Sequence, residues 1–162
     1  MHVTDDTDRF YRPNVGVALF NRDGKVLVAR RRGSSDAWQM PQGGVHDDED
    51  LEQAARRELA EEVGVRSAEL LGRVEEWLRY DLPAETLANH RWKGKWKGQR
   101  QAWLAMRFTG PDSEIDLTVE KPPEFDAWKW VALADVPLLI VPFKRAIYER
   151  VARDFARFTQ PV

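Results

Sequence analysis

The sequence contains no cysteine among its 162 residues. This absence excludes disulfide bonds, a thiolate nucleophile and every zinc site that depends on cysteine sulfur. It does not fix the cellular compartment, although an intracellular location is compatible with it. Whatever chemistry this chain performs must therefore come from its other side chains.

Long apolar runs are also absent. No stretch approaches the roughly 18 residues that are needed to span a bilayer. The first ten residues, MHVTDDTDRF, lack the basic start and the apolar middle of a signal peptide. We therefore expect a soluble, cytoplasmic protein with no membrane partner.

An excess of positive charge is missing as well. The chain has 25 lysines and arginines against 27 aspartates and glutamates, which gives a net charge of -2. Such a balance provides no general electrostatic attraction to nucleic acid, and no DNA partner is expected. Any surface that binds phosphate groups must be local.

The remaining pattern predicts one domain. Residues 1–9 are polar and are expected to form a flexible N-terminal tail, whereas residues 10–160 are expected to form a single monomeric domain. The apolar runs NVGVALF and KVLVARR flank NRDG, in which Asp23 and Gly24 predict a hairpin turn. EEWLRYDL, QRQAWLAMRF and WKWVAL predict strands, and residues 143–158 predict an amphipathic helix. This order indicates a mixed α/β sandwich.

A second helix is predicted over residues 51–63. Asp50 is a good N-cap with Gln53 three residues later, and Gly64 is expected to end the helix. Just before it, Gly43 and Gly44 are expected to open a loop whose backbone takes a positive φ or approaches a ligand closely.

This helix concentrates like charge. At about 100° per residue, Glu58, Glu61 and Glu62 fall within an arc of about 100° at the border of its apolar row. Arg57 can reach Glu61 but is expected to point away from Glu58, so it cannot neutralise all three acids. A divalent cation can, and clustered carboxylates favour Mg²⁺ first and Mn²⁺ next. The alternative is a solvated acidic helix face.

The same region resembles the Nudix box, which reads G-x5-E-x7-R-E-U-x-E-E-x-G-U, with U an aliphatic residue. Every defined position of the box is matched. The resemblance implies a Nudix fold, an α/β/α sandwich with a central mixed β-sheet, and hydrolysis of a nucleoside diphosphate linked to another moiety. The matching residues are Gly43, Glu49, Arg57, Glu58, Leu59, Glu61, Glu62, Gly64 and Val65.

The box also implies roles for its residues. Glu58, Glu61 and Glu62 are implied as catalytic metal ligands. Glu49 is implied as a helper ligand or a structural acid, and Arg57 as the ion-pair partner that orients the carboxylates. Bound Mg²⁺ would neutralise a pyrophosphate and lower the pKa of an attacking water.

The rest of the chain resembles one branch of that family. YRPNVGV, WQMPQGG, WLRYDLP, GQRQAW, PEFDAWKWV and VPFKRAIYERV are similar, in order, to the bacterial RNA pyrophosphohydrolases, which are close relatives of the asymmetric dinucleoside tetraphosphate hydrolases. The resemblance implies that Glu124 is a metal ligand or general base, the alternative being a surface acid beside a strand. Arg12 and Arg31 are implied as phosphate contacts.

Further substrate contacts are implied by the same stretches. Phe143 is expected to stack on a base while Lys144 meets its phosphate, although Phe143 could equally be a core contact at the start of a helix. The remaining candidates for substrate binding are polar or small residues, several of which could instead be sheet-surface positions. They are Gln42, Gly43, Gly44, Tyr80, Gln99 and Gln101.

Outside these motifs, HRWKGKWKGQR at residues 90–100 alternates basic and aromatic residues. The segment could guide an RNA backbone or a polyphosphate towards the metal site, or it could be a solvated basic loop anchored by its tryptophans. His46 lies within the box, but we expect no metal role for it. Asp47 and Asp48 replace a common turn before Glu49, and Arg32 stands where an aromatic residue is frequent.

Three hypotheses follow. The first is a metal-dependent enzyme that removes pyrophosphate or phosphates from the 5′ end of triphosphorylated or diphosphorylated RNA and so initiates mRNA decay. The alternative enzyme cleaves diadenosine tetraphosphate asymmetrically to ATP and AMP. The third is a non-catalytic module of the same fold, which the intact box argues against.

Overall fold

The computed structural model describes residues 6–89 and 95–162, and within them a mixed eight-stranded sheet forms the centre of the molecule. The strands are β1 (Tyr11–Phe20), β2 (Val26–Arg31), β3 (Trp38–Gln39), β4 (Gln42–Gly44), β5 (Ala68–Arg73), β6 (Leu78–Asp81), β7 (Gly98–Phe108) and β8 (Phe125–Val131). The longest strands are β1 and β7, with 10 and 11 residues.

β1 and β7 pair in parallel along the whole of β1, from Tyr11 opposite Gly98 to Phe20 opposite Arg107. The other strand pairs are antiparallel: β2 with β1, β3 and β8, β4 with β1, and β5 and β6 with β7. The parallel pair brings the start of the chain beside a strand that is distant in sequence. β1 and β7 together form the floor of a cleft.

The predicted hairpin turn is present, and Gly24 takes a φ of 77°. The hairpin itself is short, because β2 pairs with β1 only at Val26 opposite Phe20. Further along, β4 occupies the same edge of β1, with Gly43 opposite Val15. β2 therefore leaves β1 and pairs with β3 and β8 instead.

The helices are α1 (Leu51–Val63), α2 (Ala84–Asn89), α3 (Val136–Leu139) and α4 (Arg145–Phe155). The predicted bounds of α1 are confirmed. Asp50 and Gln53 form a reciprocal capping box, and Gly64 ends the helix with a φ of 73°. α4 is shorter than the predicted 143–158 because its first and last turns are 3₁₀ helices.

Two cores lie on opposite faces of the sheet, because alternate residues of a strand point to opposite sides. Val17 of β1 packs on the face that Leu59 of α1 covers, whereas Ala18 belongs to the core that contains Tyr148 and Val151 of α4. The α/β/α sandwich with a mixed central sheet is thus confirmed.

The first described residues form a 3₁₀ helix over Asp6–Phe10. Arg79 of β6 donates hydrogen bonds to Thr7 at 2.8 Å and to Asp8 at 3.3 Å. The division into a tail of residues 1–9 and a domain of residues 10–160 stays a prediction. In the part of the chain that the structure describes, no helix combines the length and the apolar character that crossing a bilayer requires.

Candidate active site

A cleft of about 340 Å³ opens where β1, β4 and β7 meet the buried side of α1. Its wall is completed by the segment around Glu124 and by the 3₁₀ turn Pro142–Lys144, which precedes α4. The residues that line it are mostly polar. They are Arg12, Asn14, Arg31, Gln39, Gln42, Gly43, Gly44, Glu58, Glu61, Glu62, Tyr80, Leu82, Thr86, Gln99, Glu120, Glu124, Phe143 and Lys144.

The doubled glycine was predicted to open a loop with a positive φ or a close approach to a ligand, and the loop and the positive φ are wrong. Gly43 and Gly44 belong to β4, and neither takes a positive φ. A Cβ on Gly43 would lie 2.0 Å from the carboxyl carbon of Glu58, and one on Gly44 would lie 2.3 Å from Nη2 of Arg12. The glycines therefore serve the close approach of two side chains to the strand. In this stretch it is Asp48 that takes a positive φ, of 65°.

Arg57 organises the acids around it. Its Nε and Nη2 donate to the two carboxylate oxygens of Glu49 at 2.8 and 2.9 Å, and Nη2 also donates to the carbonyl of Gly44 at 2.7 Å. Nη1 donates to Glu58 at 2.7 Å and to Glu61 at 3.3 Å. The expectation that Arg57 points away from Glu58 is therefore wrong. Glu49 and Gly44 draw the guanidinium back along the helix, where it meets both neighbours.

This arrangement shifts the pKa of Glu49 and of Arg57 in opposite directions. The hydrogen bonds from Arg57 lower the pKa of the Glu49 carboxyl to about 2 despite partial burial, and the backbone N–H of His46 contributes to the same effect. The pKa of Arg57 is raised by the hydrogen bond to Glu49 and by Glu58. Both side chains stay charged throughout the neutral range, so the ion pair behind the cleft persists across it.

Glu58 and Glu62 are buried carboxylates, with 7% and 8% of their surface exposed. Burial raises the pKa of both groups. The charges of Glu58, Glu124 and Glu120 raise the pKa of Glu62 further. At Glu58, the hydrogen bond and the charge of Arg57 oppose the rise in pKa. The backbone N–H of Gln42 donates to Glu62 at 3.3 Å. Acids that disfavour one another's charge are thus concentrated at this wall of the cleft, and of the two buried ones only Glu58 is paired with Arg57.

The other acids of the cleft are more accessible. The side chain of Glu61 is 53% exposed, and Glu124, which is 41% exposed, lies 3.7 Å from Nη2 of Arg31. Glu120 also lines the cleft, and burial, with the charges of Glu124 and Glu61, raises its pKa. These side chains have the freedom to turn towards the buried pair.

We call the acids that line the cleft the acid wall; they are Glu58, Glu61, Glu62, Glu120 and Glu124. This wall is the part of the site suited to a metal ion. Its donors are carboxylate oxygens, which hard divalent cations prefer, and its repelling charges are those that such an ion would offset. Among residues 6–89 and 95–162, no group of three or more acidic or histidine side chains has an arrangement that could hold a metal ion as it stands. Arg57 engages both Glu58 and Glu61, so binding an ion requires the accessible acids to reorient. The residues fit a divalent cation in their chemistry.

A basic and aromatic group faces the acids across the same cleft. Lys144 is 7% exposed, and its Nζ lies 5.7 Å from the ring centroid of Tyr80 and 5.9 Å from that of Phe143. Burial, with the charge of Arg31, lowers the pKa of Lys144 to about 8. The ring centroids of Tyr80 and Phe143 lie 5.8 Å apart with their planes tilted, and Phe143 is partly exposed. The structure thus places an exposed ring and a buried amine beside Arg31.

Glutamine side chains form the floor between these two groups. Gln99 donates from Nε2 to the hydroxyl of Tyr80 at 2.6 Å, while its Oε1 is buried without a partner. Burial raises the pKa of Tyr80 to about 12, so its hydroxyl keeps its proton. Gln101 lies beneath the cleft and donates to Gln42 and to Asn14. Gln42 and Gln99 therefore face the cleft, whereas Gln101 supports it.

Apart from Gln101, which lies beneath it, the structure gathers the residues implied for substrate binding into this cleft, together with Glu58, Glu61, Glu62 and Glu124. Glu49 and Arg57 stand behind it, and exposed His46 lies outside it. Residues 90–94 of the basic segment lie outside the described residues. Sequence reasoning missed five lining residues, three of which lie within stretches that carry the family resemblance: Asn14, Gln39 and Leu82. The five are Asn14, Gln39, Leu82, Thr86 and Glu120.

Comparison with known proteins decides the family. The profile of the NUDIX domain matches residues 10–151. The chain belongs to the NUDIX family. Its NUDIX relatives include the RNA pyrophosphohydrolase of Caulobacter vibrioides, which is 55% identical over 157 residues, with 94% of this chain and 91% of the relative covered. The RNA pyrophosphohydrolase of Acidiphilium cryptum is 53% identical over 162 residues, with 98% of each chain covered.

Solved NUDIX structures share the fold. The dihydroneopterin triphosphate pyrophosphohydrolase of E. coli superposes with a TM-score of 0.68 at 20% identity, covering 89% of this chain and 98% of that one. The Ap4A hydrolase of C. elegans, in a binary complex, gives a TM-score of 0.64 at 19% identity, covering 90% and 98%. At such low identity these similarities establish the NUDIX fold. NUDIX hydrolases generally require divalent metal ions.

Proposed function

We propose that this protein is a metal-dependent pyrophosphohydrolase that removes pyrophosphate or phosphates from the 5′ end of triphosphorylated or diphosphorylated RNA and so initiates mRNA decay. One observation carries the proposal: a single cleft combines a buried carboxylate wall with an exposed ring and buried lysine at Phe143 and Lys144. The name RNA pyrophosphohydrolase, borne by relatives at 53% and 55% identity, supports this choice.

We propose Mg²⁺ as the ion, with Mn²⁺ or another divalent metal able to substitute. Glu58, Glu61, Glu62 and Glu124 would hold it, and Glu49 would support them through Arg57. When bound, the ion neutralises phosphate charge and lowers the pKa of a coordinated water. The remaining contributions come from side chains that the cleft already positions.

Arg57 fixes the direction of the Glu58 carboxylate, since it is itself anchored by Glu49 and by the Gly44 carbonyl. Arg12, Arg31 and Lys144 supply positive charge for the polyphosphate, and Phe143 offers a stacking face to a base. In the reaction, a water oxygen forms a bond to one phosphorus while a P–O anhydride bond breaks. The departing pyrophosphate takes the electron pair, and the water loses a proton to a carboxylate of the cleft.

The competing substrate is diadenosine tetraphosphate. It offers the same chemical groups, a base and a chain of phosphates, to Phe143, Lys144 and the acid wall. The two proposals differ in the products, which are pyrophosphate and 5′-monophosphate RNA in one case and ATP and AMP in the other. We further propose that the protein acts in the cytoplasm as a monomer, which cell fractionation and light scattering would test.

A direct experiment incubates purified protein and Mg²⁺ with RNA that carries a labelled 5′-triphosphate, and with diadenosine tetraphosphate at equal concentration. We expect released pyrophosphate or phosphate and a kcat/KM that is higher for the RNA. Glu62→Gln should abolish the release, whereas Glu52→Gln, an exposed acid on the same helix, should retain it. A wild-type protein that leaves the triphosphate intact, or prefers the dinucleotide, would refute the RNA assignment.

A further inference from the structure

A basic and aromatic surface lies beside the cleft, where β1 and β7 begin. We call it the flanking patch and define it as Arg9, Phe10, Lys95, Trp96 and Lys97. Phe10 is 39% exposed. Together with Lys95, Trp96 and Lys97 it lines a mainly apolar groove of about 400 Å³ against α2. The catalytic proposal makes no use of this groove.

Cations already rest on the rings of the patch. The guanidinium carbon of Arg9 lies 4.8 Å from the centroid of Phe10, and Nζ of Lys95 lies 5.5 Å from that of Trp96. Arg9, Lys95 and Lys97 are exposed, and Arg79 binds the neighbouring Asp8. A cluster of positive charge and ring faces therefore stands on a chain whose net charge is -2.

The patch adjoins the cleft. The backbone N–H of Lys97 donates to the carbonyl of Phe10 at 2.7 Å, and the N–H of Leu82, which lines the cleft, donates to the carbonyl of Lys97 at 2.9 Å. Helix α2 separates the two sites: Thr86 lines the cleft, and Leu87 lines the groove on the other side. A chain that leaves the cleft across α2 would meet the patch first.

We propose that the flanking patch binds the nucleotides of a single-stranded RNA that follow the one held in the cleft. The proposal rests on the proposed function, because it takes the RNA 5′ end in the cleft as its starting point. Ring faces stack on any base, and the surrounding cations track the backbone, so this surface suits a single strand without demanding a sequence. It extends the substrate site from a 5′ nucleotide to a short RNA segment.

The test compares two triphosphorylated RNAs, one of two nucleotides and one of eight. For the wild type we expect kcat/KM to be about tenfold higher on the longer RNA, which corresponds to the stacking of one or two bases. Phe10→Leu/Trp96→Leu, which keeps apolar bulk but removes the ring faces, should abolish that advantage and leave the shorter RNA within about twofold. Lys129→Ala, which removes a lysine that stacks on Trp38 elsewhere, is the matched control.

A second variant covers the case in which the first one fails to fold. Lys95→Ala/Lys97→Ala changes two exposed lysines and should lower the slope of log KM against log salt for the longer RNA by about 1.4, at about 0.7 per phosphate on a single strand. Equal kcat/KM for both RNAs in the wild type, or equal losses on both in the variants, would overturn the inference. So would self-association that the ring variant abolishes, which would assign the patch to a second copy of this chain.

The proposed function and the inference can fail separately. If the wild type hydrolyses neither RNA, the proposed function is wrong. Fluorescence anisotropy of a labelled eight-nucleotide RNA with a 5′-monophosphate then still tests the patch. About tenfold weaker binding by Phe10→Leu/Trp96→Leu would support it, and unchanged binding would refute it.

Discussion

Arg57 and Glu49 form a two-point hydrogen-bonded pair, with Nε and Nη2 donating to separate carboxylate oxygens at 2.8 and 2.9 Å. The pair joins the middle of α1 to the residue just before its cap. The third guanidinium nitrogen is thereby directed at Glu58, a buried acid of the cleft. A residue outside the cleft thus controls the direction of a carboxylate inside it.

Arg57→Lys should lower kcat by about 100-fold, because a lysine cannot make the forked contact and leaves Glu58 unoriented. The neighbouring Arg56→Lys, which alters an exposed pair with Glu52, should stay within about twofold. Steady-state kinetics on triphosphorylated RNA measure both variants. Similar losses in the two would show that general helix charge, not orientation, matters.

Glu62→Gln should lower kcat by about 1000-fold and raise the melting temperature. The activity falls because a buried acid of the proposed metal site is lost. The stability rises because the amide replaces a carboxyl whose charged form is disfavoured by burial and by the charges of Glu58, Glu124 and Glu120. Scanning calorimetry in a chelator, together with kinetics in Mg²⁺, checks both parts. A variant that unfolds at a lower temperature than the wild type contradicts the electrostatic account.

Gly43→Ala should reduce activity by about 100-fold, because the new Cβ would lie 2.0 Å from the carboxyl carbon of Glu58 and must displace it. Gly33→Asn is the control, since position 33 stands in open space and asparagine tolerates its φ of 83°. Kinetics and calorimetry of both variants provide the comparison. Full activity in Gly43→Ala would show that the position of Glu58 is not critical.

The Michaelis constant for RNA should rise as the pH passes through about 8, the pKa to which burial lowers Lys144. The amine is charged below that value and can meet a phosphate, but it is neutral above it. Lys144→Arg should remove the rise, because a guanidinium stays protonated. The measurement is KM against pH from 6.5 to 9.5. A wild-type KM that is flat across this range would rule out a charge role for this lysine.

Lys144→Met should stabilise the fold at pH 7. The buried amine has a folded pKa of about 8 against an ordinary value of 10.5, so keeping it charged in the fold costs about 3 kcal/mol below pH 8. The cost disappears between pH 8 and 10.5, because there the unfolded chain holds the proton that the folded chain has released. Urea unfolding at pH 7 and pH 10 should therefore show a gain that shrinks with pH. A gain that grows with pH would refute this linkage.

The sequence predicted the parts of the molecule that local rules determine. The capping residues Asp50 and Gln53 and the terminating Gly64 define α1 because each acts within one turn of the helix. Strand β5 was missed because its residues are half exposed and it is held by pairing with β7. Glu120 escaped for a similar reason, since it lies in an irregular segment that only the tertiary structure brings to the cleft.

The errors have the same physical origin. Gly43 and Gly44 suggest a loop when they are considered alone, yet they pair with the edge of β1 as part of a strand. Arg57 was expected to follow the helical wheel, but Glu49 and the Gly44 carbonyl redirect its long side chain. Side chains with several rotatable bonds follow their partners more closely than they follow helical geometry.

The parallel pairing of β1 with β7 also determines when the proposed catalytic centre can form during folding. Asn14 and Gln101, whose hydrogen bond supports the cleft, are separated by 87 residues, so a long loop must close before they meet. Contacts of such high sequence separation are slow to form. Helix α1, which caps itself locally, can precede them. Enzymatic activity should therefore return in the last phase of refolding, after most of the helical signal has been regained.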